Sequence, residues 1–202
     1  MKLPVLASLI IFLSILSGLR KKHTKETQDA KQRFWDKEFA ANNVRKKSLD
    51  GLDYITIPLS TFPMQLMTDN ERVQEYISIV ETLSTRKIVN FTGITNTDLK
   101  LTYGTANITA LSEYDENYTT LITTLQRWAK ILYDGGHKEA VCTLLEYAVS
   151  IGSDVSATYY LLADIYREEG NSDKITELIN TASSLESKTG KLIVHTLQES
   201  YL

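Results

Sequence analysis

The chain has 202 residues, of which 43% are apolar, so it is long enough for one ordinary domain plus additional segments. Its single cysteine excludes an internal disulfide framework, and only three prolines and nine glycines favour a helical chain. Between Arg20 and Lys47, ten basic residues stand against four acidic ones, a net charge of +6. With Lys2 also counted, the total of −3 leaves −10 for residues 48–202, which argues against nucleic acid as a partner.

An apolar stretch without charged residues runs from Leu3 to Leu19. As a helix, its seventeen residues would rise about 25 Å, the lower end of what crosses a hydrocarbon core of ~30 Å. We therefore predict a transmembrane anchor over residues 1–19. A cleaved signal peptide and a buried helix of a soluble domain are the alternatives. The missing small-x-small cleavage site and the abrupt basic ending at Arg20 favour the anchor.

Basic residues follow the apolar stretch directly. Arg20, Lys21, Lys22 and Lys25 stand after it, whereas only Lys2 and the terminal amine precede it. Because basic residues are enriched on the cytoplasmic side of membrane spans, this asymmetry predicts a single-pass protein whose C-terminal domain lies in the cytoplasm.

Residues 20–47 contain no proline or glycine, and they are predicted to form a basic juxtamembrane helix. Phe34, Trp35 and Phe39 are its main apolar patch. In one interpretation Trp35 lies at the membrane boundary, with the four cations named above close to anionic headgroups. In the other, Trp35 and Phe39 pack against the domain and the cations are simply solvated.

Residues 48–67 interrupt the helical pattern. Gly51, Pro58 and Pro63 lie within this stretch, and both residue types disfavour helix interiors and mark turns. We predict a linker that crosses the surface of the domain.

Residues 68–117 are predicted to be an irregular helical segment that packs on the repeats described below. Thr68 or Asp69 would cap its first helix, which runs to about Ser84. A polar loop then precedes two short helices, one capped by Thr97 or Asp98 and the other over residues 107–114.

A helix-turn-helix unit occurs twice between Ile122 and Leu185. Asp115 is predicted to cap the first helix, which ends at Asp134, and a last helix over Lys191–Tyr201 is predicted to cap the stack. A shift of 34 residues places small residues on small ones and large residues on large ones, as expected for stacked helical pairs. The matched pairs are Ala129 with Ala163, Gly136 with Gly170, Ala148 with Ala182, Trp128 with Leu162, Leu132 with Tyr166, Val141 with Ile175, and Leu145 with Ile179.

These positions resemble tetratricopeptide repeats, over residues 118–186 or so. In that family, small residues let the two helices of a pair approach and a glycine lies at the turn, as the matched alanines and glycines do here. Val141 and Ile175 depart from the family, which has a small residue there, and the closing proline is absent. The chain also resembles uncharacterised membrane-anchored proteins of Gram-positive bacteria. The resemblance implies an all-α fold in which an N-terminal transmembrane helix precedes helical hairpins over residues 118–202.

The resemblance also implies a groove, because the first helix of each pair lines the concave face of a right-handed stack. Tyr and Arg are favoured anchors at interfaces, so we predict that the groove binds a peptide or helix of another protein. The alternative is that these are ordinary exposed helix positions. The predicted groove residues are Gln126, Lys130 and Tyr133 in the first repeat, and Tyr160, Asp164 and Arg167 in the second repeat.

Motifs for catalysis are lacking in the sequence. His23, His137 and His195 have no second histidine at metal-ligand spacing, and no Gly-rich phosphate loop or Gly-x-Ser-x-Gly motif occurs. We therefore expect no enzyme activity, cofactor or metal. The expected function is that of a membrane-anchored cytoplasmic adaptor. The alternatives are a secreted or surface structural domain with a cleaved signal peptide, and an enzyme whose site combines residues distant in sequence.

Overall fold

The described part of the chain is helical. The computed structural model describes residues 20, 25 and 27–201, and no β-strand occurs among them. The all-α prediction is confirmed, and the arrangement is compatible with a helical repeat fold. The helices are α1 (27–42), α2 (Glu71–Ser84), α3 (Asn96–Tyr103), α4 (Ile108–Asp134), α5 (Lys138–Ser150), α6 (Ser156–Glu168), α7 (Ser172–Ser183) and α8 (Lys188–Tyr201), with short 3-10 turns at Leu59–Thr61 and Thr105–Asn107.

The predicted membrane anchor over residues 1–19 lies outside the described residues, as do Lys21 and Lys22. Among the residues that the structure does describe, no helix is both long and apolar enough to span a membrane. Arg20, Lys25 and Trp35, the other residues predicted near the membrane, are exposed. The anchor therefore stays a prediction.

The chain divides into two compact units. The first contains the described residues up to Lys47 together with Thr95–Ile108, and the second contains Ser48–Ile94 and Thr109–Leu202. In the first unit, α1 ends at residue 42, earlier than the predicted 47. The reason is that the backbone of Lys47 is bonded outside the helix: its N–H donates to the Tyr103 carbonyl (3.0 Å), and its carbonyl accepts from the Asn107 side chain (2.8 Å).

In the second unit, residues 48–67 contribute to the core instead of crossing the surface throughout. Ile57 and Phe62 are buried in the main hydrophobic cluster. The Phe62 ring packs edge-to-face on Trp128, with centroids 6.3 Å apart, and on Tyr147, at 5.2 Å. The stretch contains no α-helix, because its prolines and glycine disfavour one. Its apolar side chains are nevertheless needed to fill the core.

The start of α4 corrects a second expectation. The helix begins at Ile108, so the short helix predicted over 107–114 and the long one predicted from Asp115 are a single helix of 27 residues. Asp115 is not an N-cap, because it lies inside this helix, and its carboxylate accepts a hydrogen bond from the backbone N–H of Phe91 (3.2 Å). A side chain that resembles a cap in the local sequence here serves a tertiary contact.

The N-caps of α2 and α3 also differ from those predicted. Asn70 caps α2, and its side chain accepts from two backbone N–H groups at 3.0 and 3.3 Å. Thr95, and not Thr97 or Asp98, caps α3 by accepting from the backbone N–H of Asp98 (3.2 Å). Both caps satisfy donors that the first helical turn leaves unpaired.

The turn between α4 and α5 recurs between α6 and α7. Gly136 and Gly170 have φ angles of +81° and +70°, a left-handed conformation in which a Cβ is disfavoured. Each glycine N–H donates to the carbonyl three residues earlier, at 2.9 and 3.1 Å. The residue after each glycine donates to the carbonyl five residues earlier, at 2.9 and 2.8 Å. The spacing of 34 seen in the sequence is thus matched by the same hydrogen bonds.

The last helix continues this spacing. α6 packs against α5, α7 and α8, and α7 packs against α8. At Gly190, an added Cβ would lie 2.8 Å from the Cβ of Leu185, so the backbone of α8 begins in close contact with its neighbour. α8 therefore lies where the first helix of a third repeat would be. Its fully buried residues lie 34 positions after fully buried residues of α6, which lie 34 positions after those of α4. The two sets are Leu125, Tyr159 and Ile193, and Ala129, Ala163 and Leu197.

Candidate functional site

The six predicted groove residues lie on α4 and α6. Lys130 and Arg167 are exposed, and the other four side chains are half-buried. The side chains of Gln126 and Tyr160 form no hydrogen bonds with other described residues, so both keep their donors and acceptors for a ligand or for water. The remaining four residues belong to two polar clusters.

The first cluster joins the end of α4 to the start of α5 and the end of α6. The Tyr133 hydroxyl donates to Glu168 (3.4 Å), and Lys138 forms an ion pair with the same carboxylate. Lys130 pairs with Asp134, and its Nζ lies 5.6 Å from the centroid of the Tyr133 ring. The hydrogen bond from Lys138 holds the pKa of Glu168 below its ordinary value. Glu168 is therefore ionised at neutral pH and fixes the Tyr133 hydroxyl.

The second cluster joins α6 to α8. Asp164 Oδ1 accepts from the Arg167 guanidinium and from the Tyr201 hydroxyl, each at 2.9 Å. The Arg167 guanidinium lies 4.7 Å from the centroid of the Tyr201 ring, a cation–π distance. Burial, and then the hydrogen bond to Asp164, raises the pKa of Tyr201 to about 12, so its hydroxyl remains a donor at neutral pH.

Tyr201 was not among the predicted residues, although the sequence contains a signal for it. Tyr133, Arg167 and Tyr201 are spaced by 34 residues, so they occupy the same position on α4, α6 and α8. The sequence pattern predicts the last helix only as a cap, and the contact of Tyr201 with Asp164 and Arg167 was therefore not predicted. We define the groove as the six predicted residues together with Tyr201.

A separate pocket of about 400 Å³ lies between α5, α6 and α7. Its polar wall is a network in which Glu146 Oε1 accepts from the Tyr166 hydroxyl (2.7 Å) and from Lys174 (2.8 Å). Burial alone would raise the pKa of Glu146, but the two hydrogen bonds outweigh it and the pKa lies below its ordinary value. The apolar lining includes Leu162 and Leu178. Glu146 and Lys174 neutralise one another in this network, and Glu177 adds a carboxylate to the lining that pairs with no described residue.

Groups able to support catalysis are few in the described residues. No three His, Cys, Asp or Glu side chains in this part of the chain are close enough to hold a metal ion. Cys142 is half-buried, and burial raises the pKa of its thiol to about 11. Since the thiolate is the nucleophilic form, this cysteine is unreactive at neutral pH.

No protein-family model, curated protein or solved structure matches this chain. Its geometry defines an all-α domain compatible with a helical repeat fold. A function must therefore be inferred from the surfaces that its helices create.

Proposed function

We propose that this protein is a membrane-tethered adaptor whose tetratricopeptide-like repeats bind a peptide or helix of another protein in the groove. The observation that supports this proposal is the 34-residue spacing of Tyr133, Arg167 and Tyr201 on α4, α6 and α8, together with the contact between Arg167 and Tyr201. Aromatic and arginine side chains are the residue types that contribute most to binding at protein interfaces.

The groove is preorganised for such binding. Tyr201 is held by Asp164 and Arg167, so this side chain has little freedom to lose when a ligand binds. Gln126 and Tyr160 add polar groups with unused hydrogen-bonding capacity.

The charges of the groove are balanced. Lys130, Lys138 and Arg167 are each paired with a carboxylate of the same surface. Binding should therefore depend on aromatic contacts and on the exchange of hydrogen bonds, with a weak dependence on salt.

The membrane tether and the cytoplasmic location belong to the same proposal. They rest on the apolar stretch Leu3–Leu19 and on the cations that follow it. Confinement to a membrane raises the local concentration of partners, so weak contacts would suffice. A reporter fused to the C-terminus tests the topology: activity inside the cell is expected, and activity only outside would contradict it.

Site-specific photo-cross-linking tests the groove. A photoreactive residue at position 126 or 160 should cross-link one partner species in native membranes, because both positions face the bound segment. A probe at Glu177, which lines the pocket between α5, α6 and α7, should not capture that species. Capture from Glu177 alone would move the binding surface to the pocket.

A pair of charge reversals provides a matched comparison. Arg167→Glu should abolish the cross-link from position 160, because it removes the cation stacked on Tyr201 and repels Asp164. Lys174→Glu makes the same change of charge in the pocket and should leave the cross-link unchanged. Circular dichroism of both variants verifies that the helices persist. Equal losses in the two variants would contradict the groove.

A further inference from the structure

An exposed aromatic surface lies on α1, away from the groove residues in sequence. Phe34, Trp35 and Phe39 are 54%, 56% and 74% exposed. The Phe34 and Trp35 rings form an edge-to-face pair with centroids 5.4 Å apart. Trp35 and Phe39 are four residues apart on a helix, so they share one face.

The other face of α1 is fixed on α3 and the 3-10 turn that follows it. Glu38 accepts hydrogen bonds from Thr97 and from Lys100, the latter at 3.1 Å. Ala41 is fully buried, and its carbonyl accepts from the Thr105 hydroxyl (3.1 Å). Rotation of α1 about its axis would break these contacts. The first unit therefore holds its aromatic surface outward.

The unit that carries this aromatic surface is positively charged overall. The described residues of the first unit include nine basic and four acidic side chains, a net charge of +5. Lys31 lies one turn before Trp35 on the same face, and Arg45, Lys46 and Lys47 are exposed after the end of the helix. Two of the four acidic groups, Glu38 and Asp98, are already paired with lysines of this unit.

We propose that α1 lies in the headgroup region of an anionic bilayer, with Trp35 and Phe39 inserted and the exposed cations of the first unit against lipid phosphates. Tryptophan prefers the boundary between headgroups and acyl chains, and a helix with apolar and basic residues binds at this depth. Charge complementarity favours an anionic lipid surface over a second copy of this basic unit. The inference rests on the tether of the proposed function, which would hold residue 20 close to the bilayer.

Tryptophan fluorescence of the full-length protein in vesicles tests the contact. The chain has two tryptophans, and Trp128 is fully buried, so the signal lost in Trp35→Phe reports on Trp35 alone. In vesicles of phosphatidylcholine and phosphatidylglycerol, lipids brominated near the headgroup end of their chains should quench most of the Trp35 emission. Iodide, an aqueous quencher, should quench little of it.

Two outcomes would overturn the proposal. Trp35 that is quenched by iodide and not by brominated lipid would lie in water. Trp35 that is protected from both quenchers would be covered by protein, such as a second copy of the chain.

Charge reversal adds a matched control. Lys46→Glu with Lys47→Glu should reduce quenching by brominated lipid, whereas Lys188→Glu with Lys191→Glu, at exposed positions of α8, should not. Equal effects of the two pairs would contradict a specific contact of the first unit.

Flotation of the same vesicles in alkaline carbonate tests the tether separately. Trp35→Ser with Phe39→Ser should still float, because these substitutions leave Leu3–Leu19 intact. If the unsubstituted protein does not float with the vesicles in carbonate, the tether is contradicted. The contact of α1 with the bilayer is tested separately, by the quenching of Trp35.

Discussion

The two compact units use aromatic side chains in opposite ways. In the second unit, Trp128 and Tyr159 are fully buried and Tyr118 is 1% exposed, whereas in the first unit Trp35 and Phe39 are more than half exposed. Their charge differs as well, since the described residues of the first unit are net basic and the second unit, Ser48–Ile94 with Thr109–Leu202, carries −10. Aromatic residues therefore stabilise the helical stack in one unit and remain available to an external surface in the other.

The largest expected effect separates the two tryptophans. Trp128→Ala should destabilise the second unit by about 3–5 kcal/mol, because it removes a fully buried ring that packs on Phe62. Trp35→Ala should change stability by less than about 0.5 kcal/mol. Urea unfolding followed by circular dichroism measures both. Similar losses from the two substitutions would remove the distinction between the units.

A second comparison uses two alanines. Ala163→Leu should cost about 1–3 kcal/mol, because Ala163 is fully buried between packed helices. Ala40→Leu on α1 makes the same change at an exposed position and should be neutral within about 0.5 kcal/mol. Thermal unfolding distinguishes them. An unchanged melting temperature in Ala163→Leu would show that the helices approach less closely there than described.

The repeated turn gives a smaller effect. Gly170→Ala should lower the free energy of unfolding by about 1 kcal/mol, because alanine is disfavoured at a φ of +70°. No steric clash adds to this effect, since no neighbouring atom lies within 4 Å of the added Cβ. Gly51 has equal space and no positive φ, so Gly51→Ala should bring no loss. If both variants unfold at the same denaturant concentration, the left-handed turn does not constrain the stack.

The smallest expected effect concerns the ion pair in the pocket. Glu146 has a pKa below its ordinary 4.5, so its pairing contributes fully above that pH and is lost as the pH falls through the lower value of the folded state. Glu146→Gln should cost less than about 1 kcal/mol at neutral pH, because the pair is half-exposed. The difference from the unsubstituted protein should shrink in acid. A pH-independent difference would contradict the pairing.

Local patterns predicted the helices of the repeats and the turn glycines, because these depend on short-range spacing and on φ. The same patterns failed at Asp115, which has the character of an N-cap but binds the distant N–H of Phe91. They failed again at Phe62, whose burial depends on Trp128 and Tyr147, far away in the sequence. Tertiary contacts of this kind leave no periodic signal.

The 34-residue spacing led to predicted groove residues only where the repeat is regular. In the third repeat, Leu197 occupies the position that Ala129 and Ala163 occupy in the first two repeats. The small residue typical of this position is therefore lost, and Tyr201 was not predicted. The pairing of Glu146 with Lys174 could not be predicted either, because it depends on how closely α5 and α7 approach. The function of the groove remains a proposal that the cross-linking experiment tests.

Trp128 has one further property with a practical consequence. Its indole Nε1 is fully buried and has no hydrogen-bond partner among the described residues. The proton on this nitrogen can be replaced by deuterium only when the interior opens to water. The rate at which the indole N–H signal disappears from a magnetic resonance spectrum in deuterated water would therefore measure how often the interior opens. The measurement can be made before and after a ligand is added.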